Sequence, residues 1–265
     1  MVLSASVQET IIKRGRRLDH LRLRWLLGDN VPVAQREHEL RRYFHGADGW
    51  GYSPKDERGS ENEVGSVGGT IHMLRFVREL EMGNSRAFRH ATLSFLSGVQ
   101  APDGSLYEVE RKLAASPQPW LQEDTSVDRI FFTGAVAVRL LSLGWLSNPL
   151  LRACWEYLKG LWRAWSTFDH TWYNWWVMLL LAAHYEGESS EITAACRDHC
   201  RAIMPRVDAL QAAWLLDAME GMGVHQEDPL VQAAERHLDS LREPDGMWHA
   251  GDPEVTLFAA RLLGA

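Results

Sequence analysis

Three carboxylates, Glu123, Asp124 and Asp128, lie just ahead of and inside the start of a helical pattern over 126–143. On a helix, residues four apart share a face, so Asp124 and Asp128 could hold Mg²⁺ against a substrate diphosphate. Glu123 and Asp124 are sequence neighbours, and two carboxylates that share a site repel each other as anions, which keeps one proton on the pair. The stretch also has a purely structural reading. Thr125-Ser-Val-Asp128 satisfies a helix capping box, with Thr125 accepting from the backbone and Asp128 reaching back. His170 follows Asp169 and precedes a tryptophan cluster, a placement that suits acid–base work at a helix start and equally suits a capping or core histidine.

The chain contains 12 Trp among 265 residues. Indole rings bring large rigid apolar surface with an electron-rich face, so this excess serves either a bulky core or a cavity that handles hydrophobic or cationic species. The three cysteines do not form a disulfide framework. Cys196 and Cys200 are four apart beside His199, but no second ligand pair at zinc spacing follows, so they read as buried helical cysteines and no metal is assigned. A net charge of −7 gives no reason to expect nucleic acid. The basic stretch Lys13, Arg14, Arg16, Arg17, Arg22 and Arg24 alternates with Leu18, Leu21, Leu23, Trp25 and Leu26. It reads as one amphipathic helix with a cationic, solvated or partner-facing side, or as a contact for an anionic substrate or a membrane surface. Met1 to Thr10 lacks the apolar core of a signal peptide and no run reaches the length of a membrane span, so a cytoplasmic protein is expected.

The elements that position these residues repeat. Ser94-Phe-Leu-Ser-Gly-Val-Gln-Ala-Pro-Asp-Gly104 aligns without a gap on Arg236-His-Leu-Asp-Ser-Leu-Arg-Glu-Pro-Asp-Gly246. Each is a helix end running into a Pro-Asp-Gly turn, with Gln100 opposite Arg242. Ala47-Asp48-Gly49-Trp50 is a weaker third copy. The separation of Asp103 from Asp245 fits three periods of about 47 residues, the length of one helical hairpin per repeat. Proline stops the helix, while Asp-Gly supplies side-chain hydrogen bonding and a permissive backbone.

New helices start near Gly65, Asp124 and Asp252, the last with Pro253 at its favoured first position. Helical patterns run near 4–26, 32–45, 84–99, 126–143, 149–165, 171–185, 190–203, 207–221 and 229–241, and no segment alternates with period two. The helix from Trp172 is apolar nearly all round and must be enclosed, whereas 190–203 and 229–241 keep a charged face. Such alternation is what two concentric rings of helices produce.

The turn and its flanks resemble the repeat of squalene–hopene cyclases and related terpenoid cyclases, in which a helix ending Leu-x-x-Gln is followed by x-Pro-Asp-Gly-x-Trp. Gln100 keeps the glutamine and Trp248 the tryptophan, and the likeness runs from about Asp48 to the C-terminus. The resemblance implies an all-α fold, an α/α toroid forming a single domain over 1–265, with N-terminal helices over 1–45 and repeats over 46–265. Its superfamily also includes the zinc-dependent subunit of protein prenyltransferases, for which His249 and Asp252 would be the nearest ligands, without a cysteine near them.

The cyclases carry an Asp-x-Asp-Asp motif, commonly followed by Thr, whose middle aspartate is the general acid. Aligned on the final Asp-Thr, Leu121-Gln-Glu123-Asp124-Thr125 puts Glu123 at the acid position and Leu121 in place of the first aspartate. A carboxylic acid in an apolar pocket stays protonated and can donate to an alkene or epoxide. Aromatic faces then stabilise the cation without offering a nucleophile. The resemblance thus implies a protonation-initiated terpene or meroterpenoid cyclase, with Glu123, Asp124, Asp128 and His170 as catalytic candidates and no cofactor. Trp50, Trp120, Phe131, Phe132, Trp172, Trp175, Trp176 and Trp248 are the substrate-binding candidates. The expected partner is a hydrophobic isoprenoid. A homodimer, a partner subunit or a peripheral membrane contact would complete the site if one toroid does not. The alternatives are a Mg²⁺-dependent ionisation-type synthase using residues 123–128 and a non-catalytic toroid that binds an isoprenoid or a protein.

Overall fold

The computed structural model describes residues 3–55, 65–108, 126–146, 148–162 and 172–264. Among these, all regular elements are helical. The twelve α-helices are α1 (Ala5–Arg14), α2 (Arg17–Leu26), α3 (Val33–Arg41), α4 (Val67–Glu79), α5 (Arg86–Val99) and α6 (Ser126–Ser142), followed by α7 (Asn148–Leu161), α8 (Trp172–Glu186), α9 (Glu191–Ile203), α10 (Ala209–Gly221), α11 (Pro229–Ser240) and α12 (Pro253–Leu262). No described helix is long and apolar enough to cross a membrane.

Side-chain capping fixes several starts. Ser66 Oγ accepts from Gly69 N at 2.9 Å, and Asp208 and Gln211 exchange bonds of 2.8 and 2.9 Å in a capping box. Asp252 accepts from Glu254 N at 2.7 Å, and Pro253 occupies the first turn as expected, where its missing N–H costs nothing.

Enclosed and half-exposed helices alternate. In α4, α6, α8, α10 and α12 most positions are buried, including every residue of 130–140 and of 174–182. By contrast α5 buries Phe88, Thr92, Phe95 and Leu96, and α11 buries Leu230, Val231, Ala234 and Leu238, each a single stripe at helical spacing. Every fully buried Leu, Val or Phe contributes about 1.5–3 kcal/mol relative to exposure, which favours this arrangement over splayed hairpins.

The chain groups into two compact units, Leu40–Cys196 and Met1–Glu39 with Arg197–Ala265, the boundaries falling inside α3 and α9. In the first unit α4 packs on α6 and α6 on α8, with α7 lying against α6 and α8. In the second α10 packs on α12 and α12 on α2, while α11 lies on α10 and α1 on both α2 and α12. Within each unit, enclosed helices therefore adjoin the enclosed helix two places on. Leu3, Val7, Ile11 and Leu23 meet Met247, Leu257 and Ala260 in one cluster that joins the two ends of the chain.

The N-terminal helix expected over 4–26 is two helices. Gly15 ends the first, its N–H bonded to Ile11 O at 2.7 Å, and the Asp19 carboxylate turns back to accept from Arg16 N at 2.9 Å. Lys13, Arg14, Arg17 and Arg24 are exposed, as a solvated cationic side requires, and the exception is Arg22. Arg22 is fully buried against Asp19 at 3.2 Å, Arg16 pairs with Glu254 at 2.6 Å and Arg17 with Glu39 at 3.4 Å. Glu254 lies outside the basic stretch itself, which is why local amphipathicity did not show that Arg22 is buried.

Candidate functional site

The helix-to-turn units are the frame of the site. In all three copies the turn closes over four residues: His45 N donates to Gly49 O at 2.8 Å, Ala101 N to Ser105 O at 2.9 Å and Glu243 N to Met247 O at 2.8 Å. The next residue, Trp50, Leu106 or Trp248, then donates its backbone N–H to a threonine hydroxyl of the following enclosed helix. The acceptors are Thr70 at 3.2 Å, Thr133 at 2.8 Å and Thr256 at 3.2 Å.

Gln100 and Arg242, opposite each other in the alignment, do the same work. Gln100 Nε2 donates to Gly104 O at 3.0 Å and Arg242 Nε to Gly246 O at 3.2 Å. Gln100 also reaches Leu150 O at 3.2 Å, tying the turn to α7, whereas the Arg242 guanidinium lies over the Trp248 ring at 5.0 Å. In the first copy the hydrogen-bond register sets Phe44 at this place, with its ring 4.7 Å from that of Trp50. The positive-φ glycine there, Gly49 at 83°, falls one residue later than Gly104 at 91° and Gly246 at 87°, so Asp-Gly is not in structural register across the three copies.

Trp50 and Trp248 are fully buried, and their indole N–H groups donate to Thr92 Oγ1 and to Leu238 O, each at 2.8 Å. Both rings pack between a turn and its neighbouring helices.

A second aromatic group lies at the N-terminal ends of α4, α6 and α8. Gly69 lets the segment after the first turn lie flat on α4, since a Cβ there would be 2.3 Å from Trp50 O. At Gly68 a Cβ would be 2.3 Å from the Tyr52 hydroxyl and 3.4 Å from Phe132. Tyr52 stands 5.4 Å from His72, Phe132 5.8 Å from Phe131, and Phe131 5.1 Å from Tyr173 of α8. The helices approach closely because Gly134 of α6 has no side chain, and a Cβ there would be 2.5 Å from Val177 Cγ2. Asp128, at 8% exposure, stands in the first turn of α6, one turn before Phe131 and Phe132 and so on their side of the helix. Glu108, also buried, accepts from Val67 N at 3.2 Å and Gly68 N at 3.0 Å and so holds the start of α4.

Trp172, Trp175 and Trp176 occupy the first turns of α8, with Trp175 and Trp176 each 2% exposed and Trp172 half-buried. Glu123, Asp124, Trp120 and His170 lie outside the described residues. Tyr52, His72, Tyr173 and Asn174 were not singled out in the sequence; the signal that could have found Tyr52 is the Gly68-Gly69 pair, an unusual helix start that fits a close backbone approach.

Asn174 is fully buried, and neither its amide nitrogen nor its oxygen has a partner among the described residues. Cys154, Cys196 and Cys200 are buried and form no disulfide, and for Cys196 and Cys200 burial is what their helical spacing led one to expect. Burial pushes the Cys154 and Cys196 thiols up to about 12, which leaves them neutral and poor ligands or nucleophiles. Among the described residues no cluster of three or more His, Cys, Asp or Glu side chains could hold a metal ion. A shallow groove of about 680 Å³ runs along the outer face of α5 beside Arg86, Arg89 and His90, away from the aromatic group's helix ends. Comparison with known protein families gives no match, and comparison with curated proteins gives none either.

Proposed function

We propose that the chain is an α/α toroid of repeated helical hairpins that cyclises a polyprenyl substrate by protonation. The toroid reading is supported by enclosed helices that adjoin two places on within each unit and by the packing of α12 on α2, which brings the last repeat back to the first. The chemical reading is carried by one observation: a buried carboxyl, Asp128, stands one helical turn before the Phe131–Phe132 pair, whose rings lead on to Tyr173.

A proton donor to an alkene has to sit where water cannot compete for the proton, and the cation formed needs π faces close by. In this reading Glu123 and Asp124, which immediately precede α6, share the proton that attacks the substrate, and Asp128 orients that pair. Phe131, Phe132 and Tyr173 line the path of the cation. Trp50 and Trp248 act through the frame, because their N–H groups and rings are already engaged by protein.

The test is incubation of the purified protein with polyprenyl alcohols, polyprenyl diphosphates and prenylated aromatics, with and without Mg²⁺, beside Glu123→Gln, Asp124→Asn and Asp128→Asn. Cyclised product formed without Mg²⁺ and reduced at least about 10²-fold in the Glu123 or Asp124 variant is the expected result. Product retained by all three variants overturns the acid assignment. Product that needs both Mg²⁺ and a diphosphate replaces it with ionisation chemistry at the same acidic cluster.

A further inference from the structure

Five tryptophans of this chain differ in what their indole N–H meets. Trp50, Trp145 and Trp248 donate to Thr92 Oγ1, Gly83 O and Leu238 O at 2.8, 2.6 and 2.8 Å. The N–H groups of Trp172 and Trp176 are also buried, yet meet no acceptor among the described residues. A buried donor without an acceptor loses its water and gains nothing in return, so proteins rarely leave one, and two on one helix face call for a cause.

Trp172 and Trp176 are four residues apart and therefore stand one above the other on α8. That face is turned by about a quarter to a third of a turn from the one that meets α6, because their successors Tyr173 and Val177 are the residues that touch Phe131 and Gly134. The two donors thus lie on the same turns of α8 as Tyr173 and Val177, the residues that meet α6. From Trp172 to Ala183 the helix has no Lys, Arg, His, Asp or Glu, so it brings no cation to match a diphosphate.

We propose that Trp172 and Trp176 form a subsite for the uncharged oxygen of an otherwise apolar isoprenoid, a hydroxyl or carbonyl that accepts from one or both indole N–H groups while the hydrocarbon chain lies along Phe131, Phe132 and Tyr173. This deepens the proposed function and rests on its assignment of an isoprenoid ligand. It selects an oxygenated, neutral head over a hydrocarbon or a diphosphate. The indole rings supply apolar walls and the N–H groups fix the orientation of the chain.

Equilibrium dialysis of the whole protein against radiolabelled farnesol, farnesyl diphosphate and farnesene tests this without reading turnover. Farnesol is expected to bind about tenfold tighter than farnesene, the effect of one well-placed hydrogen bond, and tighter than the diphosphate. Trp176→Phe and Trp172→Phe keep an aromatic ring and remove the donor. At least one of them is expected to cost farnesol most of its advantage over farnesene, with the variant's far-UV circular dichroism unchanged as the report of folding. Equal binding of alcohol and hydrocarbon, an advantage that survives in both variants, tighter binding of the diphosphate, or no binding of any of the three probes overturns the subsite. Alcohol preference without any cyclised product sinks the cyclase reading and leaves the subsite standing. Product formed without alcohol preference does the reverse.

Discussion

In the unit that joins the two chain ends, charges buried on the enclosed helices meet charges. The fully buried Asp217 of α10 binds Arg261 of α12, which also reaches Glu220 at 2.7 Å, and Arg22 of α2 lies against Asp19. In the unit Leu40–Cys196, helix α8 buries Asn174 and the N–H groups of Trp172 and Trp176 with no partner among the described residues. Both units thus bury polar atoms that meet no partner among the described residues, His20 Nε2 and Arg261 Nε in one, but α8 leaves both polar atoms of Asn174 and two indole N–H groups unmet. A buried polar group without a partner costs stability, and sequences retain such groups chiefly where they act on something else. Under the proposed function, the unit that joins the two chain ends is scaffold and Leu40–Cys196 holds the ligand.

The contrast breaks most visibly at the ion pair. Arg261→Met removes the guanidinium from a fully buried carboxylate and is expected to cost about 3 kcal/mol in urea denaturation, because the stranded charge, more than the lost attraction, sets the penalty. A loss below about 1 kcal/mol, the range of exposed pairs, would remove the distinction between the units. A smaller and opposite pair of effects sharpens it. Thr256→Val takes away the acceptor of Trp248 N and is expected to destabilise by about 1–2 kcal/mol. Asn174→Leu, which removes an amide that binds nothing among the described residues, is expected to be neutral or to stabilise by up to about 1 kcal/mol. Thermal unfolding of both without ligand decides the matter, and a marked loss in the Asn174 variant would show that its amide is already satisfied.

The smallest effect belongs to the second turn. The Ser105 hydroxyl and then its backbone N–H, donating to Asp103 Oδ1 at 2.7 and 2.9 Å, hold that carboxyl below its ordinary value of 3.8. A carboxyl depressed in the folded state contributes stability above its unfolded value and loses it as the pH falls through the folded one. Asp103→Asn is therefore expected to lower the melting temperature slightly at neutral pH and to converge on the wild type in acid below that value. A constant difference across the titration would deny the turn any ionic contribution.

Much of the frame was legible in the residues. The gapless match of 94–104 with 236–246 located two turns, and the placement of Gln100 opposite Arg242 survives as a shared bond to the turn glycine. The all-round apolar helix from Trp172 is enclosed, as its pattern required. The third turn was legible only in part, since matching Asp48-Gly49 to the other Asp-Gly pairs puts the register one residue out. Backbone hydrogen bonds show what side-chain identity could not: Trp50 stands where Leu106 and Trp248 stand. The burial of Arg22 was invisible because burial is decided by what packs over a helix, and Glu254 of the distant α12 packs there. For the candidate site, the aromatic residues were chosen for their type, but type alone does not tell Trp50, whose N–H is spent on Thr92, from Trp176, whose N–H meets nothing in the described chain.

The cluster that joins Leu3, Val7 and Ile11 to Met247, Leu257 and Ala260 sets the order of events at the ribosome. Leu40–Cys196 is continuous and can begin to fold while later residues are still being added, whereas the other unit has its first helices waiting for its last. Closing so long a loop adds only slowly to the entropic cost, but it delays the contact until residues 247–260 have been made. During that interval Val7 and Ile11 present an apolar face with no partner from the C-terminal helix, so nascent chains are most exposed to chaperones and to aggregation through their N-terminal helices.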